Sequence, residues 1–387
     1  MITALIAVLL QSMLVEPVPI ESPDRLAHTF AALQRREARP PSGRVRITHL
    51  GDSHIAADLW TGPLRSALQA RFGDGGRGFV LAGRPWTSYW QEHALPGIDG
   101  PWRVDGLRGG LDDGWFGPGT CSVAADDPDA EVSLSVSPKS DAGRGATSVD
   151  VHVLRQPGGG CFEVRVDGQP VRRFSTRGPW VEPTFVRVPL PTGTAKVTVH
   201  PVAGGETRLL GLSLEAEQGL LYDALGINGA KANRLLRLDP TGLRDGLRRL
   251  DPTLLIISYG TNELFDDDLE PSTYADRLEA VLTALRAAAP DADCLLTGPP
   301  DALIKRRHPP PLIEAVYGIQ RALAEAHGCA FWDARSAMGG PGSIRAWRRA
   351  GLAQRDFVHF TRDGYRQLAE AFLSALLGAY DAWITPR

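Results

Sequence analysis

Net charge, cysteine and long apolar runs are all scarce in this sequence. Its 42 Lys and Arg residues against 45 Asp and Glu leave a formal charge of −3. Such a balance supplies no general attraction for phosphate backbones or anionic lipid surfaces, so we expect no nucleic-acid partner. No run approaches the roughly 18 consecutive apolar residues of a membrane-spanning helix, and no integral membrane segment is expected.

The four cysteines are too few for a disulfide scaffold, and none has the C-x-x-C spacing of a zinc site. We therefore expect neither a metal nor another cofactor. If the chain is exported, Cys121 and Cys161 could form a disulfide within one segment. Cys294 and Cys329 each begin an apolar run and are predicted to be buried strand residues.

The chain length and the hydrophobic content favour a folded protein of more than one domain. A length of 387 residues is enough for two or three domains at about 150 residues each. The hydrophobic fraction of 43% excludes wholesale disorder, while 42 glycines and 30 prolines indicate many turns. The oligomeric state is left open by these features.

The amino terminus carries an apolar stretch, Ile2 to Leu10, about as long as the apolar region of a secretory signal peptide. No Lys or Arg precedes it, and no clean small-x-small cleavage site follows. We expect an exported protein, periplasmic or otherwise, with residues 1–40 as leader and linker. The alternative is a misassigned start or a short apolar terminus without a targeting role.

The first structural pattern after this segment is a strand followed by a helix. Val45 and Ile47 alternate with polar residues and predict a strand that ends near Gly51. Leu64 and Phe72 belong to an apolar stripe of helical spacing. The same strand-and-helix pattern returns after residue 219, so alternating elements predict a parallel sheet covered by helices on both faces.

A different pattern separates these two parts. Between residues 96 and 218, short alternating segments such as Val149, Val151 and Val153 are divided by Pro and Gly, as expected of antiparallel strands in a β-sandwich. We therefore predict an α/β domain formed by residues 41–95 and 219–387, interrupted by an inserted all-β domain at 96–218.

Ser53 lies in a Gly-Asp-Ser-His turn between the first strand and its helix, where open α/β folds place their ligands. Free N–H groups at such a helix start can stabilise an oxyanion. Asp356 and His359 precede the last helix, and their spacing allows a carboxylate to orient an imidazole that activates a serine. Each motif alone is also compatible with simple helix capping.

Two further motifs follow strands or precede helical stretches. Asn262 lies in the turn that follows the apolar strand Leu254 to Ser258, where its amide could donate to a developing oxyanion. Gly229 precedes a helical stretch, and its N–H can approach a ligand closely because glycine has no Cβ. The alternative in both cases is an ordinary turn.

Together and in this order, the four blocks resemble those of the SGNH hydrolases, also called the GDSL family. The resemblance implies a three-layer α/β/α fold in which Ser53 is the nucleophile, His359 the base and Asp356 its orienting partner. It further implies an oxyanion hole formed by the backbone N–H groups of Ser53 and Gly229 and the amide of Asn262.

The combination of these blocks with a β-sandwich between the first two resembles the bacterial peptidoglycan O-acetylesterases, whose insert is similar to a carbohydrate-binding module. Two positions depart from the commonest superfamily pattern, His54 in place of Leu and Glu263 in place of Asp. The implied function is a serine esterase that removes O-acetyl groups from a cell-wall glycan, and the resemblance points to peptidoglycan as that glycan. The alternatives are a polysaccharide O-acetyltransferase and a catalytically idle glycan-binding protein.

Two other features have both a functional and a structural interpretation. His54 adjoins the serine and could contact substrate or act as a rival base, although neighbours on a tight turn usually point apart. The aromatic residues Trp86, Tyr89 and Trp90 could stack on sugar rings or fill the seam between domains.

Overall fold

The structure is a computed structural model that describes residues 15–106, 109–137 and 145–385. The stretch from Ile2 to Leu10, predicted to be a leader, lies outside these residues. Among the helices of the described ranges, none has both the length and the apolar character needed to cross a bilayer. The α-helices are α1 (Ala27–Glu37), α2 (Ser53–Ala56), α3 (Thr61–Phe72), α4 (Pro240–Leu250), α5 (Pro271–Ala288), α6 (Ile313–Ala326), α7 (Ala334–Ala337), α8 (Ser343–Arg349) and α9 (Arg362–Ile384).

The strands follow the order that the sequence pattern predicts, with a long antiparallel series between two parts of a parallel sheet. They are β1 (Arg44–Gly51), β2 (Gly78–Val80), β3 (Ala94–Asp99), β4 (Arg103–Gly106), β5 (Cys121–Ala125), β6 (Glu131–Val136), β7 (Ser148–Arg155), β8 (Cys161–Val166), β9 (Gln169–Ser175), β10 (Glu182–Pro189), β11 (Lys196–Ala203), β12 (Thr207–Glu215), β13 (Gly219–Gly226), β14 (Leu254–Ser258), β15 (Asp293–Thr297) and β16 (Ala330–Trp332).

The parallel sheet has the strand order β13-β1-β14-β15-β16 and is covered on both faces. Leu255 and Ile257 of β14 belong to a core shared with α4, α5 and α6. Leu254 and Ile256 belong to the opposite core, shared with α1, α3 and α9. Burial on both sides explains why β14 is an uninterrupted apolar run. The predicted α/β class is confirmed.

The antiparallel strands form two sheets that enclose a third apolar core, as predicted for the β-sandwich. One sheet has the order β10-β7-β12-β5-β4, and the other has the order β3-β6-β11-β8-β9. Val149, Val151 and Val153 of β7 point into this core from the first sheet, and Val197 and Val199 do so from the second. Their alternation with polar residues is the pattern that identifies half-buried strands.

Strand β2 joins the two parts of the molecule. It precedes the predicted insert at 96–218 but pairs antiparallel with β12, so that Val80 lies opposite Leu212. Strand β13, which follows β12 in the chain, pairs parallel with β1 over its whole length. The chain therefore passes directly from the β-sandwich into the parallel sheet, and the boundaries at residues 96 and 218 remain a proposal.

The structure decides the cysteine pairing that the sequence left open. Cys294 and Cys329 form a disulfide, whereas Cys121 and Cys161 are free, so the possible bond between the latter two does not form. The register that places Leu295 opposite Ala330 brings the preceding cysteines to a Cα–Cα distance of 4.5 Å. The two free cysteines lie on β5 and β8, in different sheets of the sandwich. The predicted burial of Cys294 and Cys329 is correct.

Candidate active site

The register of the central strands brings three of the sequence motifs to one edge of the parallel sheet. Gly51 at the end of β1 lies opposite Gly226 of β13 and Ser258 of β14. Ser53, Gly229 and Asn262 therefore each follow one of three adjacent strand ends by two to four residues. In an open α/β sheet, this carboxyl-terminal edge is where ligands bind.

The serine turn is tightly packed against the neighbouring strand. A Cβ at Gly51 would lie 2.9 Å from the carbonyl oxygen of Ser258, so only glycine fits there. Asp52 then caps the short helix α2, its side chain accepting a hydrogen bond of 2.9 Å from the backbone N–H of His54. These contacts fix the backbone from which the Ser53 side chain projects.

Ser53 and His359 are in hydrogen-bond contact. The distance between the serine Oγ and the imidazole Nε2 is 2.8 Å, and the imidazole Nδ1 lies 2.7 Å from the Oδ2 atom of Asp356. An ionised carboxylate only accepts hydrogen bonds, so the proton belongs on Nδ1 and leaves Nε2 to accept from the serine hydroxyl. This arrangement suits a serine nucleophile and its base.

The Asp356 carboxylate is held in its ionised form. Its Oδ1 atom accepts hydrogen bonds of 3.0 Å from the backbone N–H groups of Val358 and His359. Partial burial acts to raise the pKa of Asp356, but these bonds and the one from the His359 ring lower it below its usual range. Phe357 between them has a φ of 60°, a left-handed conformation that closes the loop.

The glycine and asparagine motifs are joined by a direct hydrogen bond. The Nδ2 atom of Asn262 donates to the carbonyl oxygen of Ala230 over 2.9 Å. An amide group has two N–H donors, so one remains available for an oxyanion. Gly229 is exposed and has a φ of +75°, while a Cβ there would meet no heavy atom within 4 Å. Its backbone conformation, and not crowding, therefore explains the glycine.

Two buried acids lie beneath these loops, and the sequence did not single them out as site residues. Glu263 accepts a 2.7 Å hydrogen bond from the backbone N–H of Ala232 and so ties the asparagine loop to the glycine loop. Burial raises the pKa of Glu263, and burial followed by the Glu263 charge raises the pKa of Asp52 to about 7. The sequence carried two signals for these acids, since Asp52 belongs to the Gly-Asp-Ser-His turn and Glu263 directly follows Asn262.

His54 lies behind the proposed base. Its side chain is only 3% exposed, its Nδ1 atom is 3.0 Å from the hydroxyl of Tyr365, and its ring centroid is 5.5 Å from that of His359. Burial, with a smaller contribution from His359, lowers the pKa of His54 to about 3. Because His54 is buried in this way, we interpret it as a residue that supports the loop of His359, and not as the predicted substrate contact.

A loop between Trp86 and Glu92 runs beside these residues. Ser88 accepts a hydrogen bond of 3.2 Å from the Asn228 side chain, next to Gly229. Trp90 is 37% exposed, and the guanidinium of Arg362 lies 5.0 Å from the centroid of its ring. The loop thus contacts both the glycine motif and the segment that follows His359.

The described residues include no group of three or more His, Cys, Asp or Glu side chains arranged to hold a metal ion.

Comparisons with known proteins give one family and several related structures. Residues 194–367 match the family described as GDSL-like lipase/acylhydrolase. A solved structure of a peptidoglycan O-acetylesterase is 25% identical, covers 93% of this chain and 97% of its own length, and has a TM-score of 0.77. No curated protein matches the chain.

Two further structures are similar over smaller or more divergent regions. An acetyl xylan esterase is 21% identical over 41% of this chain and 81% of its own, with a TM-score of 0.33. A family two carbohydrate esterase from Cellvibrio japonicus is 12% identical over 76% of this chain and 100% of its own, with a TM-score of 0.31.

Proposed function

Since the chain is an SGNH (GDSL) hydrolase, a carboxylic ester hydrolase that resembles the peptidoglycan O-acetylesterases, we propose that it removes O-acetyl groups from a cell-wall glycan. The substrate we propose is peptidoglycan. The observation that carries the proposal is the continuous hydrogen-bonded series of Ser53, His359 and Asp356 at the strand-end edge. The likeness to a peptidoglycan O-acetylesterase over 93% of the chain supports the choice of substrate.

In the first step, the Ser53 hydroxyl attacks the acetyl carbonyl and gives its proton to Nε2 of His359. The Asp356 carboxylate stabilises the imidazolium that forms and keeps it oriented. The N–H groups of Ser53 and Gly229 and the free amide hydrogen of Asn262 donate hydrogen bonds to the negatively charged carbonyl oxygen. His359 then protonates the sugar oxygen as the C–O bond breaks, which leaves an acetyl group on Ser53.

The second step releases acetate. Water takes the place of the sugar hydroxyl, His359 removes its proton, and the hydroxide attacks the acetyl carbonyl in the same oxyanion hole. The proton returns from His359 to the Ser53 oxygen as acetic acid leaves, and the acid then ionises to acetate in solution. Neither step uses a metal or an organic cofactor.

The proposed location is an exported one. A disulfide between Cys294 and Cys329 forms and persists most readily in an oxidising compartment such as the periplasm. A cell-wall substrate lies on the same side of the membrane. Intact-cell fractionation with an antibody against the chain would test this placement.

Acetate release tests the proposed substrate. The full chain is incubated with O-acetylated peptidoglycan and, separately, with acetylated xylan, with the Ser53→Ala variant as control. We expect faster release from peptidoglycan and none above background from the variant. Preferential release from xylan would overturn the substrate, and formation of acetylated oligosaccharide in place of acetate would favour a transferase.

A further inference from the structure

A cavity lies between the parallel-sheet part of the chain and the β-sandwich and is lined by Ser88 and Ile227, close in sequence or contact to the glycine motif. Its volume is about 400 Å³, within the range of about 300–1,000 Å³ typical of small-molecule sites, which often occur between domains. We call it the seam cavity. Its lining includes Trp86, Ser88, Gly106, Thr120 and Ile227. We propose that it binds a pyranose ring of the glycan next to the acetylated sugar, an inference that rests on the proposed function.

A short chain segment links the wall of the seam cavity to the proposed oxyanion hole. The backbone N–H of Ile227, a wall residue, donates to the carbonyl oxygen of Gly51 over 3.1 Å. The side chain of the next residue, Asn228, donates to the hydroxyl of Ser88, another lining residue, over 3.2 Å. Gly229 follows in the chain. Residues 227–229 therefore form one short segment that belongs to the cavity wall at one end and to the proposed oxyanion hole at the other.

An aromatic ring on the wall is held in a fixed position. Trp86 is partly buried and packs edge to face against Tyr89, with ring centroids 5.4 Å apart. Tyr89 is itself buried, and its hydroxyl accepts a hydrogen bond of 3.0 Å from the backbone N–H of Leu81. The C–H face of a pyranose is apolar and stacks on such a ring, and a platform fixed in advance loses little entropy on binding.

The β-sandwich contributes polar groups to the same cavity. Asp105 lines it and accepts from Arg103 at 2.8 Å and from the backbone N–H of Leu111 at 2.9 Å. Because the guanidinium balances this carboxylate, the wall favours a neutral, hydroxyl-rich ligand over an ion. The cavity thus combines an aromatic surface with a small number of polar groups, which is the usual composition of a sugar-sized site.

The backbone of one wall residue is strained. Thr120 has a φ of 54°, which is rare for a β-branched residue. Its side-chain hydroxyl is buried and has no hydrogen-bond partner among the residues that the structure describes. Strain of this kind is concentrated at ligand-binding positions, where the surrounding structure maintains it. This observation is independent of the Trp86 platform and points to the same cavity.

Calorimetric binding of two tetrasaccharides tests the inference. The probes are the β-1,4-linked tetramers of N-acetylglucosamine and of xylose, titrated into the full chain carrying Ser53→Ala so that no turnover interferes. We expect the N-acetylglucosamine tetramer to bind and its affinity to fall about tenfold on addition of Trp86→Ala, because aromatic anchors carry a disproportionate share of the binding energy. Trp86→Phe should recover most of the loss, since it keeps a flat ring.

A matched control is Trp180→Ala, which removes a 62% exposed tryptophan of the β-sandwich that does not line the cavity and should leave binding unchanged. Thr87→Leu, at an exposed lining residue, narrows the cavity without disturbing the core and should also weaken binding. Unaltered affinity in both Trp86→Ala and Thr87→Leu, or no binding of either tetramer, would overturn the inference.

Failure of the seam cavity and failure of the proposed esterase give different results. Release of acetate from peptidoglycan without binding of either tetramer would contradict the proposed subsite and leave the proposed reaction standing. A chain that binds the tetramer through Trp86 but releases no acetate retains the subsite and loses the reaction.

Discussion

The Oγ atom of Ser53 lies 2.8 Å from the Nε2 atom of His359, although 306 positions separate the two residues in the sequence. The serine follows the first strand of the parallel sheet, and the histidine precedes the last helix. Both are placed by short loops at the same edge of that sheet, so their contact depends on the fold of the whole α/β part. The predictions below test this site and the structure that supports it.

Replacing Asn262 by Ala should slow turnover without preventing folding. The change removes an amide donor from the proposed oxyanion hole and the 2.9 Å bond to the Ala230 carbonyl. Loss of one such donor costs about 10²–10³-fold in kcat. Steady-state hydrolysis of a small acetyl ester measures the effect, and we expect kcat to fall far more than KM rises. An unchanged kcat would remove Asn262 from the mechanism.

The Asp52 carboxyl should make folding stability depend on pH. Burial raises its pKa from the usual 3.8 to about 7. At pH values between 3.8 and about 7, the folded chain keeps the Asp52 proton that the unfolded chain releases. The stability that Asp52 contributes is therefore fully present below pH 3.8 and is lost as the pH rises toward about 7. The slope reaches about 1.4 kcal/mol per pH unit.

Urea unfolding at a series of pH values, with Asp52→Asn as comparison, measures this slope. Asparagine still accepts the hydrogen bond from the His54 N–H but does not ionise, so the variant should lose less stability on going toward neutral pH. Equal slopes for the two proteins would contradict the assignment.

Asp58 should be essential for stability. It is fully buried and accepts hydrogen bonds from Arg65, from Arg77 and from the backbone N–H of Glu92. Asp58→Asn keeps a residue that tolerates the φ of 53° found here but leaves the two guanidinium groups without their counter-charge. We expect a loss of about 3–5 kcal/mol in unfolding free energy.

The control for Asp58 is Asp363→Asn, which removes the partner of Arg366 in an exposed ion pair on α9. Exposed pairs contribute little, so its unfolding curve should overlay that of the parent. If the unfolding curve of Asp58→Asn also overlaid that of the parent, the buried ion pairs of Asp58 with Arg65 and Arg77 would be dispensable for stability.

The disulfide assignment predicts a definite alkylation pattern. Without reductant, the unfolded chain should be modified at Cys121 and Cys161 but not at Cys294 or Cys329. Peptide mass spectrometry distinguishes this pattern from the alternative pairing. Replacing both bonded cysteines by Ser should cost about 2–4 kcal/mol, because the bond closes a loop of 35 residues in the unfolded chain.

Features carried by short, local sequence patterns were predictable. The serine turn, the Asp356–His359 pair and the glycine and asparagine motifs each depend on a few consecutive residues, and parallel strands necessarily bring their carboxyl ends together. The α/β class and the β-sandwich follow similarly from apolar periodicity, since burial on two faces or one leaves different patterns in the sequence.

Features that depend on long-range register were not predictable from the sequence. The bond between Cys294 and Cys329 requires the alignment of β15 with β16, which neither strand's own sequence reveals. The buried His54 ring is in hydrogen-bond contact with the hydroxyl of Tyr365, more than 300 residues later in the sequence. The pairing of β2 with β12 across the predicted domain boundary is of the same kind.

The central claim is that Ser53 attacks the acetyl carbonyl with His359 as its base. The most direct test is intact-mass and peptide mass spectrometry of the full chain, quenched in acid shortly after mixing with a small aryl acetate. We expect a single acetyl group on the peptide that contains Ser53, and neither adduct nor turnover with Ser53→Ala. An acetyl group on a different residue, or wild-type hydrolysis by Ser53→Ala, would contradict the account.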